Sequence, residues 1–156
     1  MKKLLINGGA GFIGSVIVNK LHELGGYDIT VIDSMAEQIH GIDWKQSYLY
    51  KTIQGNCNFI MASVTDIDVM KEVVPENDYI LHLAAETGTG QSMYQINQYN
   101  ETNVMGISNL LQAISLAGKK SKVKKIVLSS SRSIYGEGKY ECPNCGEKLN
   151  LSSEYF

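Results

Sequence analysis

At 156 residues, with a formal net charge of −2, 44% apolar and 19% charged residues, the chain has the size of one ordinary globular domain and lacks the positive charge excess that binds nucleic acid. Met1-Lys2-Lys3 ahead of only Leu4-Leu5-Ile6 is too short an apolar run for a signal peptide, and no stretch reaches the ~20 residues of a membrane span, so a cytoplasmic protein with neither nucleic acid nor membrane as partner is expected. Three cysteines, two of them in Cys142-x-x-Cys145, fit a thiol or metal arrangement better than a secreted disulfide framework.

Leu4-Leu5-Ile6 reads as a short strand flowing into Asn7-Gly8-Gly9-Ala10-Gly11-Phe12-Ile13-Gly14, after which Val16, Ile17, Leu21 and Leu24 recur at helical spacing. The glycines satisfy two registers, Gly8-x-x-Gly11-x-x-Gly14 and Gly9-x-Gly11-x-x-Gly14. A strand, glycine turn and helix in this order form a dinucleotide cradle: the backbone lies close to a pyrophosphate while the first N–H groups of the helix point at its charge. Gly25-Gly26 stops the helix. Tyr27 to Ile32 is the next strand and delivers Asp33, 19 residues after Gly14, where a carboxylate accepts both hydroxyls of the adenosine ribose. The same carboxylate repels a 2′-phosphate and no Arg follows it closely, which predicts NAD over NADP.

Ser34 to Asn56, polar and aromatic, reads as a long irregular surface loop that holds His40 and Trp44. Asn58 to Ala62 is a strand, and Asp66 opens a short helix ending near Val74-Pro75. Tyr79 to Leu83 is a continuous apolar strand of the buried parallel kind, with His82 as a satisfied core histidine. A helix from about Gln98 to Ala117 carries Val104, Ile107, Leu110, Leu111 and Ile114 on one face and ends at Gly118. Lys125 to Ser129 completes five strands separated by helices, which predicts an α/β fold with a doubly wound parallel sheet and its ligand crevice at the strands' C-terminal ends. The division expected is residues 1–140 as the dinucleotide-binding domain and 141–156 as a Cys-x-x-Cys insertion or truncated tail. Cys142-Pro143-Asn144-Cys145-Gly146 supplies two corners of a tetrahedral zinc site, the other two having to come from elsewhere, so no intact metal site is expected within the chain.

The segments "NGGAGFIG", "VID", "HLAAETG", "NETNVMGISNLLQA" and "SSSRSIYGEG" resemble, in order and spacing, the N-terminal half of the extended short-chain dehydrogenase/reductase superfamily, in particular its NAD-dependent nucleotide-sugar epimerases and dehydratases. "AAETGTGQSMY" and the "YGEGKYECPNCG" insertion look most like 4-epimerases acting on deoxysugar nucleotides. The resemblance implies a Rossmann fold, NAD as cofactor and a nucleotide-sugar as substrate of the full-length enzyme, one of whose sugar carbons is oxidised and re-reduced. It makes Gly8, Gly11, Phe12, Ile13 and Gly14 the pyrophosphate loop and Asp33 the ribose acceptor. It sets Asp66 beside the adenine, a role compatible with capping the helix it begins, and lines the cofactor with Leu83, Ala84 and Ala85. Asn103 is then the asparagine that steadies the active site, Ser131 the catalytic hydroxyl, and Ser129 and Ser130 its neighbours along the cofactor.

The family's acid/base relay also needs a tyrosine with a lysine four residues later on one helix face. Tyr135 and Lys139 have that spacing, but Gly136 and Gly138 break a helix, and Tyr135 matches the non-catalytic tyrosine of the family's "VYG" segment. Tyr155 lies 24 residues after Ser131, and its partner would be residue 159, past Phe156. The expectation is an NAD-binding portion truncated before its substrate domain, inactive alone, and forming a weak homo-oligomer through the apolar Met105, Ile107 and Leu111. A non-catalytic dinucleotide-binding module, or a zinc-ribbon interaction domain, is the alternative.

Overall fold

The computed structural model describes residues 1–131, 134 and 139–150. Strands β1 (Lys2–Asn7), β2 (Tyr27–Asp33), β3 (Asn58–Met61), β4 (Tyr79–His82) and β5 (Lys125–Leu128) form one parallel sheet in the order β3-β2-β1-β4-β5. Asn7 at the end of β1 lies between Ile32 and His82. Successive residues of a strand face opposite sides, and β1 shows what that does. Leu4 and Ile6 join Val18, Ile29 and Val31 in one core layer, whereas Leu5 joins Ile32, Met70, Ile80, Leu110 and Ala113 in the other. The first layer is covered by α1 (Phe12–Leu24), the second by α4 (Ile67–Val73) and α7 (Gly106–Ala117). Helices on both faces explain why the central strands are apolar runs without polar alternation. The chain winds outward from β1 through β2 to β3 and then crosses back to β4, which opens a crevice above the C-terminal ends of β1 and β4.

Ser34–Asn56 is more ordered than a surface loop. It holds two short helices, α2 (Glu37–His40) and α3 (Tyr48–Ile53), with a single tight turn at Trp44–Gln46 between them. Met35, His40 and Ile53 are buried, and Tyr50 stands edge-on to Trp44 and to Phe59 of β3, with ring centroids 5.0 and 4.9 Å apart. Burial of large aromatic surface holds the segment against the sheet edge.

The last helix is continuous from Ile96, as α6 (Ile96–Asn100), one π turn (Glu101–Met105) and α7. Gly106, Leu110 and Ala113 are buried, while Val104 and Leu111, expected on the apolar face, are 52% and 54% exposed. In α1, likewise, Val18 is buried and Val16 and Leu24 are exposed. Asp66 caps α4: its Oδ1 accepts the N–H groups of Asp68 and Val69 at 3.1 and 3.2 Å.

After β5 the described chain resumes as an antiparallel hairpin of β6 (Lys139–Glu141) and β7 (Lys148–Asn150), paired with none of the five parallel strands. Strand β6 runs across the division expected at residue 140, and it places Lys139 on a strand. Tyr135, Gly136, Gly138 and Tyr155 lie outside the described residues.

Candidate functional site: a glycine-walled cleft at the strand ends

The turn between β1 and α1 is built by backbone contact. Gly8 has φ +76°, and a Cβ there would meet the backbone N of Ala84 at 2.6 Å. A Cβ on Gly14 would press on the backbone of Gly8 and Gly9, with Gly9 Cα 2.6 Å away. These two glycines let three chain segments touch. Gly11 differs, because a Cβ there meets only the Gly8 carbonyl, at 3.4 Å, and would otherwise enter the cleft that Gly11 lines. Gly11 is also the N-cap of α1, with no side-chain cap and no acidic residue in the first turn. The first N–H groups of a 13-residue helix, those of Phe12, Ile13 and Gly14, thus remain without a side-chain partner and carry the positive end of the helix dipole.

Beside this turn, Asp33 ends β2. Its Oδ2 accepts the N–H of Ala10 and its Oδ1 the N–H of Met35, both at 2.9 Å. The second bond requires Met35 in the left-handed region at φ 56°, a conformation that costs about 1 kcal/mol or more for a residue with a Cβ. His40, buried, brings Nε2 to 3.8 Å from Asp33 Oδ1 and pairs Nδ1 with Ser47 Oγ at 2.9 Å. Each carboxylate oxygen has a lone pair left for a ligand hydroxyl. Asp33 is therefore clamped before any ligand arrives, which lowers the ordering cost of binding.

Together these residues enclose a cleft of about 300 Å³. Gly8, Gly11, Asp33, Leu83, Ala84 and Ala85 line it. Ser34, His40, the Ala62–Thr65 segment, Glu86 and Thr102 line it as well. Among the described residues no Lys or Arg lines the cleft, and three carboxylates, Asp33, Glu86 and Glu101, do. Asn103 stands behind this wall, where its Oδ1 accepts the Glu86 N–H at 2.8 Å and its Nδ2 donates to the Glu86 carbonyl at 3.1 Å. Its amide positions the backbone after β4. Asp66 lies just past Thr65 with its Oδ1 engaged by the helix cap. Ser129 Oγ donates to the His82 carbonyl at 3.2 Å, and Ser131 is exposed beyond it; neither lines the cleft.

Beneath the cleft floor Asn7 and His82 are both buried, with Asn7 Nδ2 3.0 Å from His82 Nδ1. Burial holds the His82 pKa below its ordinary value of 6.5, because a charged imidazole there loses its water. The unfolded chain then takes up the proton first. His82 removes stability as pH falls through about 6.5, and the loss is complete once pH has passed the folded-state pKa. Melting temperatures recorded from about pH 7.5 down to about 5.5 should fall more steeply for the unaltered chain than for His82→Gln. Equal slopes would show that His82 does not titrate against folding.

The family model for the "NAD dependent epimerase/dehydratase family" matches residues 4–155. The chain belongs to this family. Among its relatives, a dTDP-L-rhamnose 4-epimerase from Burkholderia thailandensis is 36% identical over 142 residues, covering 90% of this chain and 37% of that protein. A UDP-N-acetyl-alpha-D-glucosaminuronate decarboxylase from Bacillus cytotoxicus is 35% identical, covering 88% of this chain and 39% of that one. Among solved structures, a UDP-glucose-4-epimerase from Stenotrophomonas maltophila, with bound NAD and formylated UDP-arabinopyranose, superposes with a TM-score of 0.72 at 28% identity. It is matched over 92% of this chain and 40% of its own. The chain thus spans about two fifths of the length of these relatives.

In this epimerase/dehydratase framework, one group of the residues that sequence reasoning passed over has a simple address. Ala62 to Thr65 follow β3 just as Gly8 follows β1 and Leu83 follows β4. The rule that ligands sit beyond the carboxyl ends of the strands, applied to every strand in turn, finds them. His40 had no such signal, since it reaches Asp33 through the fold of a segment without helical periodicity.

Proposed function

We propose that this chain is the NAD-binding portion of a nucleotide-sugar 4-epimerase. One observation carries the reading: the glycine turn sets the side-chain-free N-terminus of α1 beside a clamped Asp33 in a single cleft, at the point where the strand order reverses. The residues fit the cofactor. Gly11 leaves open the space a Cβ would fill, where a pyrophosphate meets the first turn of α1. Asp33 accepts the ribose hydroxyls, Leu83 to Ala85 pass close under the ribose, and Ser63 to Thr65, with Asp66 next to them, border the adenine. Bound there, NAD supplies the hydride acceptor and donor for oxidising and re-reducing a sugar carbon. Ser131 holds the sugar oxygen in this reading, and Asn103 acts through the Glu86 backbone. The sugar-nucleotides named for the relatives, dTDP- and UDP-linked, set the substrate class. The exposed Val104, Met105 and Leu111 support a weak homo-oligomer through the long helix.

The test is titration calorimetry with both cofactors. A 2′-phosphate would lie beside Asp33 in a cleft with no Lys or Arg among its described lining residues. Repulsion of about 1–4 kcal/mol at 4 Å is expected to make NADP bind roughly 10- to 100-fold more weakly than NAD. Equal or tighter NADP binding would overturn the assignment. Asp33→Arg should move the preference toward NADP, at a cost the structure makes clear. It strands the N–H groups of Ala10 and Met35, at about 1–3 kcal/mol each, so the variant's melting temperature should fall.

A further inference from the structure

The β6–β7 hairpin carries chemistry that the cleft does not use. Its turn is Cys142-Pro143-Asn144-Cys145-Gly146, closed by the Cys142 N–H donating to the Glu147 carbonyl and the Gly146 N–H donating to the Cys142 carbonyl, both at 2.9 Å. Gly146 adopts φ +69°, which brings the chain back into register with β6. The backbone N–H groups of Cys145 and Asn144 both donate to the Cys142 sulfur. Cys142 is half-buried and Cys145 exposed. Two sulfurs spaced by two residues on a tight hairpin, one of them wrapped by backbone N–H groups, occupy two adjacent corners of a tetrahedron around a soft divalent metal.

Redox Cys-x-x-Cys pairs owe their reactivity to a helix N-terminus. Here strands flank the pair on both sides, so metal ligation fits better than disulfide exchange. The third cysteine cannot complete the set. Cys57, just before β3, is pushed up to about 11 by burial, and its thiol donates to the Ile53 carbonyl at 3.6 Å. Among the described residues no group of three or more His, Cys, Asp or Glu is placed to hold a metal ion. The hairpin pairs with no strand of the main sheet, so its exposed sulfur is accessible to another molecule. A two-fold axis through the metal repeats the same pair and closes the coordination sphere.

We propose that the β6–β7 hairpin is a zinc knuckle in which Cys142 and Cys145 fill two corners of a tetrahedral site and the same two cysteines of a second copy fill the others. Each zinc binds four thiolates, and the thiol protons pass to solvent on binding. This site is independent of the cofactor cleft.

The chain, purified with a thiol-free reductant and zinc, should hold one zinc per two chains by elemental analysis. Sedimentation should show a dimer that a chelator dissociates. Cobalt in place of zinc should give the visible spectrum of a tetrahedral thiolate site. The double variant Cys142→Ser, Cys145→Ser should lose both metal and zinc-dependent dimer while titrating with NAD as the unaltered chain does, which shows that it is folded. Zinc no higher than in that double variant would overturn the site. One zinc bound per monomer, or a dimer indifferent to the chelator, would overturn the shared arrangement.

Discussion

Gly14→Ala should lower the melting temperature by roughly 2–12 °C, although alanine in a helix is ordinarily about 1 kcal/mol better than glycine. The reversal comes from what the new Cβ meets. The Gly8 carbonyl and the Gly9 backbone lie against that position, and backbone cannot rotate away as a flexible side chain does. Forcing a methyl into such a contact costs about 1–3 kcal/mol or more, and each kcal/mol is worth roughly 2–4 °C in a domain of this size. Gly8→Ala should do at least as much, since it adds the cost of φ +76° to a clash with Ala84. Gly11→Ala is the informative contrast. Its Cβ meets only one carbonyl oxygen, at 3.4 Å, so the melting temperature should stay close to that of the unaltered chain. Thermal unfolding followed by circular dichroism separates the three. A Gly14→Ala protein as stable as the original would mean that α1 does not pack on the turn as described.

The chain of 156 residues should turn over no nucleotide-sugar above background. Epimerisation needs a group to take and return the sugar hydroxyl proton, and a positioned acid/base is typically worth 10²- to 10⁴-fold before any orientation of the substrate is counted. The one tyrosine in this sequence with a lysine four residues later is Tyr135, and Lys139 lies on strand β6, where residues four apart lack the shared helical face. A coupled assay over UDP-, dTDP- and GDP-sugars measures this directly. Robust turnover abolished by Tyr135→Phe would contradict the account. Turnover lost in Tyr155→Phe would instead identify a tyrosine that works without the usual lysine.

The parallel sheet was legible because its signals are local and repeated. Leu4 to Ile6, Tyr27 to Ile32 and Tyr79 to Leu83 are apolar runs, and Gly25, Pro75 and Gly118 mark the ends of the segments between them. Gly8, Gly11 and Asp33 were legible for a different reason: backbone approach and ribose binding each demand a residue type at a set spacing. Side-chain direction along a helix was harder to read. A 3.6-residue period finds an apolar stripe but not which part of it meets the sheet: within α7 Leu110 is buried while Leu111, one position on, is exposed. The Ser34–Asn56 segment was opaque because helices of four and six residues are too short to show a period. Its order comes from Trp44, Tyr50 and Phe59 meeting across the fold. His40 beside Asp33 is a product of that packing, visible only in three dimensions.

Titration of NAD into the unaltered chain and into Gly11→Ala tests the central claim most directly, because Gly11 marks the cleft without supporting the fold. The account predicts saturable binding of one NAD per chain, weakened roughly 10- to 100-fold in Gly11→Ala by a methyl costing about 1–3 kcal/mol where the pyrophosphate meets α1, at an unchanged melting temperature. No binding by the folded, unaltered chain, or equal binding by Gly11→Ala, would contradict it.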